Sequence, residues 1–184
     1  GGCTMGRRGL GSAERVGDEK AVSHSGYVTW NCDPSGLADG VSAALVCAAR
    51  AYHRDTQLGI TVVSCRRTLR RQAELMADMS REQLEGMYCA NGYPSYIRRI
   101  VAHMEEKGPP SADDVYQILR TRKEGYISAH LSGAALDIRS HGADVPLLKQ
   151  ALADHGFAVL DERSLGIPCI HATYRAAPRL IVRE

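Results

Sequence analysis

The stretch Ser128-Ala129-His130-Leu131-Ser132-Gly133-Ala134-Ala135-Leu136-Asp137-Ile138 places a histidine and a carboxylate seven residues apart. The neutral imidazole of His130 and the carboxylate of Asp137 are both groups that bind metal ions. Gly133 permits a bend that a larger residue would resist, so the chain can turn back toward the histidine. Beyond the bend, polar and apolar residues alternate. This pattern predicts a strand with Asp137 on one face and its apolar neighbours on the other.

A metal site needs a third ligand, and a catalytic zinc site keeps its fourth position open. The best candidate is His171, in the β-type run Ile167-Pro168-Cys169-Ile170-His171-Ala172-Thr173-Tyr174. Strand alternation puts Cys169 and Thr173 on the same face as His171. The residues therefore predict a Zn²⁺ site formed by His130, Asp137 and His171.

The pattern Ser-x-His-x-x-Gly-x-Ala-x-Asp, completed by a histidine on a late strand, resembles the zinc site of the LAS-type metallopeptidases. This group includes D-alanyl-D-alanine carboxypeptidases and dipeptidases, phage endolysins and murein endopeptidases, and the zinc fold of the hedgehog signalling domain is related. All five fixed positions are present, at Ser128, His130, Gly133, Ala135 and Asp137. The resemblance implies an α+β fold of the hedgehog/DD-peptidase-like kind, in which a small antiparallel sheet flanked by helices carries the zinc site.

A second part of the resemblance lies in Cys65-Arg66-Arg67-Thr68-Leu69-Arg70-Arg71-Gln72, after a predicted strand at residues 59–64. In the family, a strand here ends in a Ser-Gly-Tyr-Arg-Ser-like turn before a helix that carries a Gln, and Cys65 and Arg66 replace the usual Gly-Tyr. Arg67 then takes the position whose guanidinium stabilises a developing oxyanion or holds a carboxylate. The resemblance also implies substrate contacts by Gln72 and Ser128. Spacing alone supports another interpretation, in which Arg67 is one of several surface arginines.

The general base remains open between two neighbouring carboxylates. A zinc peptidase uses a carboxylate to take a proton from water and to pass it to the leaving amine. Many LAS-type enzymes carry a Glu three residues before the last His, but Pro168 occupies that position here. Other relatives place the acid after the preceding strand, which resembles Val159-Leu160-Asp161-Glu162. Asp161 matches the family position by alignment, and Glu162 matches it by side-chain type. The alternative is that both are solvent-exposed charged residues of a turn and neither is the base.

The six cysteines, at positions 3, 32, 47, 65, 89 and 169, do not form a CxxC zinc pattern. Their even number allows disulfides, which would indicate an oxidising compartment, and the alternative is several buried free thiols. Cys169 adds two further alternatives. It could pair with Cys65, or it could complete a closed four-ligand site that would be structural and a poor catalyst.

Length and composition predict a single domain at residues 27–184, preceded by a flexible N-terminal arm at residues 1–26, and the resemblance implies that this domain is zinc peptidase-like. Helical periodicity predicts a helical insertion at about residues 69–123, and a β-type run predicts a last strand at Arg179–Val182. A net charge of +2 without a long basic tract argues against a nucleic-acid partner. The longest mainly apolar stretch, Val41 to Ala49, is too short to span a membrane.

The favoured function is a zinc-dependent peptidase of DD-carboxypeptidase or endopeptidase type. It would hydrolyse peptidoglycan stem or cross-link peptides in the periplasm or after secretion. One alternative is a catalytically inactive, zinc-containing module that binds cell-wall peptide or a protein partner, and Pro168 favours this hypothesis. In a second alternative the protein binds no metal, and His130 and His171 are ordinary buried histidines. That alternative predicts that a chelator leaves the stability of the protein unchanged.

Overall fold

The computed structural model describes residues 26–184, so the predicted N-terminal arm and Cys3 lie outside the described residues apart from Gly26. The strands are β1 (Val28–Trp30), β2 (Ile60–Ser64), β3 (Ala135–Arg139), β4 (Phe157–Asp161) and β5 (Cys169–Tyr174). The helices are α1 (Val41–Thr56), α2 (Leu69–Ala77), α3 (Arg81–Tyr88), α4 (Ser95–Lys107), α5 (Ala112–Arg120) and α6 (Val145–Asp154). Short 3₁₀ turns occupy Pro34–Gly36, Ala129–Ser132 and Glu162–Leu165.

The five strands form one sheet in the order β1-β2-β3-β5-β4. β3 lies antiparallel to both β2 and β5, and β4 lies antiparallel to β5. β1 instead runs parallel to β2, because α1 connects the two strands and returns the chain to the same end of the sheet. The predicted α+β class is confirmed, but the sheet is mixed rather than wholly antiparallel.

One face of the sheet packs against α1 and α6. The buried side chains shared by the strands and these helices include Leu45, Leu136, Ile138, Leu152 and Ile170. Burial alternates along β5, whereas Ala135, Leu136, Asp137 and Ile138 of β3 are all buried, so both faces of β3 are covered. Since neighbouring residues of a strand point to opposite faces, Asp137 and His171 point away from this core.

Helices α2 to α5 form a second apolar cluster, in the part of the chain for which a helical insertion is predicted. Capping boxes begin two of them. The Ser80 and Ser111 side chains accept the backbone N–H of the third helical residue, whose own side chain accepts the cap N–H in return. None of the helices in the described residues has the length and apolar character that crossing a membrane requires.

The predicted last strand at Arg179–Val182 is wrong, since this run has no regular structure. The guanidinium of Arg122, which is buried, donates hydrogen bonds to the carbonyl oxygens of Leu119, Gly125 and Val182. The side chain of Arg122, which follows α5, therefore provides the hydrogen bond of the Val182 carbonyl. A partner strand is not needed for that carbonyl.

Candidate metal centre

The three predicted metal ligands come together on the face of the sheet opposite to α1 and α6, where His130 and Asp137 are buried. Asp137 on β3 and His171 on β5 are directly paired across the two strands. Asp137 Oδ1 lies 3.0 Å from His171 Nδ1 and 3.0 Å from His130 Nε2. One donor atom from each of the three residues lies within 4.8 Å of the others, which is the spacing of a group that could hold a metal ion.

The loop that carries His130 is held by its neighbours on both sides. The Ser128 hydroxyl accepts the His130 backbone N–H at 3.3 Å and begins the 3₁₀ turn. Gly133 ends this turn with φ +72°, and a Cβ added there would lie 2.2 Å from the carbonyl oxygen of Gly36. The bend predicted from Gly133 is therefore present, and no larger side chain fits at that position.

The hydrogen bonds of His130 leave one lone pair directed at a carboxylate. Its Nδ1 lies 2.7 Å from the backbone carbonyl oxygen of Cys65, which only accepts, so Nδ1 carries the proton. Burial lowers the pKa of His130, which favours the neutral ring. Its Nε2 is then an acceptor 3.0 Å from a second acceptor, Asp137 Oδ1. A proton or a metal ion between the two acceptors would satisfy both.

The geometry fits a metal ion in that position. Burial opposes ionisation of Asp137, but its contacts with His130 and His171 and the charge of Arg67 hold its pKa well below the usual range. Ligand atoms about 2.05 Å from a tetrahedral metal ion lie about 3.3 Å apart, close to the two 3.0 Å distances from Asp137 Oδ1. His171 contributes Nδ1, and its Nε2 lies 3.0 Å from Thr173 Oγ1, which fixes the ring.

Arg67 lies behind the cluster with its guanidinium largely buried. It pairs with Asp137 Oδ2, the oxygen that does not face the two histidines. Its Nε donates to Ser64 Oγ at 3.1 Å, and its Nη1 donates to Gln72 Oε1 at 3.3 Å. A planar guanidinium has five donors, so Arg67 fixes the metal-ligand carboxylate while keeping N–H groups for the cleft that it lines.

Gln72, predicted to contact substrate, is fully buried and bridges Arg67 to Tyr88. Its Nε2 donates to the Tyr88 hydroxyl at 2.7 Å, while its Oε1 accepts from Arg67. In this structure, Gln72 thus positions Arg67. Burial raises the pKa of Tyr88 to about 12, so its hydroxyl stays protonated. No sequence pattern indicated Tyr88, because its contact depends on how α3 packs beside α2.

The two candidate bases lie in different surroundings. Glu162 is buried in the 3₁₀ turn after β4 and lines the same cleft as the metal cluster, with its Oε1 4.0 Å from His171 Nδ1. Burial and the nearby charge of Asp137 raise the pKa of Glu162. Asp161 lines a separate groove and binds Arg163 at 2.8 and 2.6 Å, which lowers its pKa to about 2.

A cleft of about 730 Å³ opens over the cluster. Beyond the metal ligands, its lining includes Arg66, Arg67, Arg71, Tyr88, Ser128 and Glu162. The turn that carries Glu162 is tied to the helical layer, since Gln83 Nε2 donates to the Leu165 carbonyl at 3.2 Å. Gly86 on α3 allows this approach, because a Cβ there would lie 2.7 Å from the Leu165 side chain.

The possible pairing of Cys65 with Cys169 is wrong. Cys65 forms a disulfide with Cys32, and their Cα atoms are 5.9 Å apart. Parallel pairing of β1 with β2 brings the two together, since Asn31 N donates to the Val62 carbonyl beside them. Cys169 is a free thiol outside the three-residue cluster. Burial raises the pKa of this thiol to about 11, so it is protonated at neutral pH in the metal-free protein.

Two imidazoles and a carboxylate thus lie around a position that could hold a metal ion, beside a buried glutamate and an arginine. The chain was compared with protein-family models, curated proteins and solved structures. None of these matches it.

Proposed function

We propose that this chain is a zinc-dependent peptidase that hydrolyses peptidoglycan stem or cross-link peptides. One observation carries the proposal: His130, Asp137 and His171 converge around a cation position in the same cleft as the buried Glu162. The resemblance to LAS-type metallopeptidases supplies the substrate class, because short peptides that contain D-residues are what that family cuts.

The donor set supports zinc as the metal. Two imidazole nitrogens and one carboxylate oxygen are a common catalytic zinc set, in which a fourth position stays open. When bound, zinc supplies a Lewis acid that polarises a carbonyl and acidifies a water molecule to a pKa near ~7. The other ring nitrogens of both histidines are held by Cys65 O and Thr173 Oγ1, as ligating histidines require.

Glu162 is proposed as the general base and then the general acid. Its burial raises its pKa, and it lies beside His171. A raised pKa brings the proton affinity of Glu162 closer to those of the attacking water and the leaving amine, with which it exchanges a proton. It takes a proton from the water that attacks the scissile carbonyl carbon and delivers that proton to the leaving nitrogen as the C–N bond breaks. The ion pair of Asp161 with Arg163, outside the cleft, makes that carboxylate the weaker candidate.

Arg67 is proposed to act on both the metal ligand and the substrate. Its bond to Asp137 holds one carboxylate oxygen, so the other is left for the metal. The donors that remain in the cleft can stabilise the oxyanion that forms on the scissile carbonyl. The Cys32–Cys65 disulfide supports a periplasmic or extracellular location, since such bonds persist in oxidising compartments.

The decisive experiment combines metal analysis with a hydrolysis assay. Purified wild-type protein should contain about one zinc per chain. His130→Ala should lose the metal, whereas the control His141→Ala, at an exposed turn position, should keep it. Each protein is then incubated with peptidoglycan stem peptides, before and after chelation and zinc addition.

Wild-type and control proteins should release new amino groups, and chelation should abolish this release until zinc is restored. Absence of metal after zinc addition would refute the proposal. Zinc without hydrolysis would instead favour the inactive binding module, for which Pro168 at the position of the family glutamate is the supporting observation.

A further inference from the structure

A second cavity of about 500 Å³ adjoins the metal cleft. We name it the tyrosine cavity, because four tyrosines line it: Tyr88, Tyr93, Tyr96 and Tyr126. Glu124 also belongs to the lining. Four residues line both spaces: Met87, Tyr88, Tyr126 and Ile127. A peptide that lies in the cleft therefore reaches the tyrosine cavity without leaving the protein surface.

The two spaces differ in charge. Three arginines and three carboxylates line the metal cleft, whereas the described residues that line the tyrosine cavity include one carboxylate and no Lys, Arg or His. Glu124 is the charged group in that lining, and it accepts hydrogen bonds from Ser95 N and Ser95 Oγ, both at 2.6 Å. These bonds lower the pKa of Glu124, so it is ionised at neutral pH. Each carboxylate oxygen has capacity for a further donor.

The tyrosine rings add an attraction for positive charge. The face of an aromatic ring carries negative potential and binds ammonium or guanidinium groups. Tyr93 and Tyr126 are 38% and 40% exposed, so their rings are within reach of a ligand. The guanidinium groups of Arg98 and Arg179 lie 5.7 and 5.5 Å from these two ring centroids, near the outer limit of a cation–π contact, so a ligand ammonium would compete with them for the rings.

We propose that the tyrosine cavity is a second subsite of the metal cleft, which binds an ammonium group of the substrate between its tyrosine rings and the Glu124 carboxylate. The inference rests on the proposed function, because the amine belongs to the peptide that is cut at the metal. The subsite selects peptides with a free amine, either at the N-terminus or on a lysine-type side chain. It discriminates against the same peptides when that amine is acylated and neutral.

Binding measured without turnover tests this selection. Zinc-loaded Glu162→Gln protein is titrated calorimetrically with the stem-type peptide L-Ala-D-Glu-L-Lys-D-Ala-D-Ala. Four forms are used: both amines free, either one acetylated, and both acetylated. Acetylation of the recognised amine should weaken binding about tenfold, since a ring contact and a carboxylate contact are lost together. The singly acetylated peptides reveal which of the two amines is bound.

Two further substitutions in the same protein assign the effect to the cavity. Glu124→Gln and Tyr126→Leu should each reduce the tenfold difference to about twofold, and Tyr126→Leu leaves the Ser95 hydrogen bonds intact. Glu106→Gln, an equal charge change at an exposed position of α4, should preserve it.

The inference is overturned if the doubly acetylated peptide binds as tightly as the free one, if none of the four peptides binds, or if both cavity variants keep the full difference. A wild-type protein that fails to hydrolyse the peptides would remove the proposed function but would leave this binding comparison unaffected. The two failures are thus distinguishable.

Discussion

Glu162→Gln should abolish hydrolysis without loss of the metal. The substitution keeps the size of the side chain but removes its capacity to take and return a proton. General acid–base catalysis contributes typically ~10²–10⁴-fold, and kcat should fall by about that factor. Glu162 is not among the three ligands, so the zinc content should remain that of the wild-type protein.

The same substitution should stabilise the metal-free protein. Glu162 is 4% exposed and lies near the negative charge of Asp137, so burial of its charge opposes folding. A neutral amide avoids this cost, and the gain should be on the order of 1 kcal/mol at neutral pH.

The sign of the pH dependence follows from the raised pKa of the folded state. The folded protein holds the Glu162 proton more tightly than the unfolded chain does. Stability from this group is therefore present below its unfolded pKa of about 4.3 and is lost as pH rises through the folded value. The advantage of the variant over wild type should vanish near pH ~4 and be complete at neutral pH.

Urea denaturation of chelated proteins at both pH values, together with hydrolysis by zinc-loaded proteins, provides the test. Asp161→Asn is the matched control, because it removes a neighbouring charge outside the cleft and keeps the oxygen that accepts the Arg163 backbone N–H. It should hydrolyse at the wild-type rate. Normal hydrolysis by Glu162→Gln, or a loss of stability at neutral pH, would refute the role assigned to Glu162.

Three further predictions concern the metal, the loop and the disulfide. Zinc at ~100 times its Kd should raise the free energy of unfolding by about 2.7 kcal/mol, and identical thermal transitions with and without chelator would contradict this. Gly133→Ala should cost about 3 kcal/mol or more and weaken zinc binding, because its Cβ would meet the Gly36 carbonyl. Gly142→Ala should cost only about 1 kcal/mol in urea denaturation, since its Cβ meets nothing within 4 Å, and equal losses would refute the clash. Serine at both Cys32 and Cys65 should cost about 4 kcal/mol by loop closure over 33 residues, and an unchanged urea midpoint would exclude the bond.

The convergence of His130, Asp137 and His171 was largely predictable, because short-range patterns orient these side chains. Strand alternation alone puts Asp137 and His171 on faces opposite to their apolar neighbours, and Gly133 signals the bend that returns His130 toward them. The helical and strand periodicities along the chain also agree with the α+β class that the resemblance implied. These features depend on residues close in sequence, whose geometry the local backbone dictates.

Other parts of the site depend on contacts that no local pattern records. Cys32 and Cys65 meet because β1 runs parallel to β2. A strand of three residues is too short for its sequence to predict that pairing. The chain of hydrogen bonds from Arg67 through Gln72 to Tyr88 requires α3 to pack beside α2. The choice between Asp161 and Glu162 depends on which side of the 3₁₀ turn faces the cleft, and one residue of register decides it.

The Cys32–Cys65 disulfide and the His130 ring share the peptide carbonyl of Cys65. Coupling between two sites is reciprocal in free energy. If breaking the sulfur bond loosens that carbonyl and weakens metal affinity, then bound metal must make the bond harder to reduce by the same factor. Disulfide formation and metal binding would therefore each favour the other, and loss of either would weaken both.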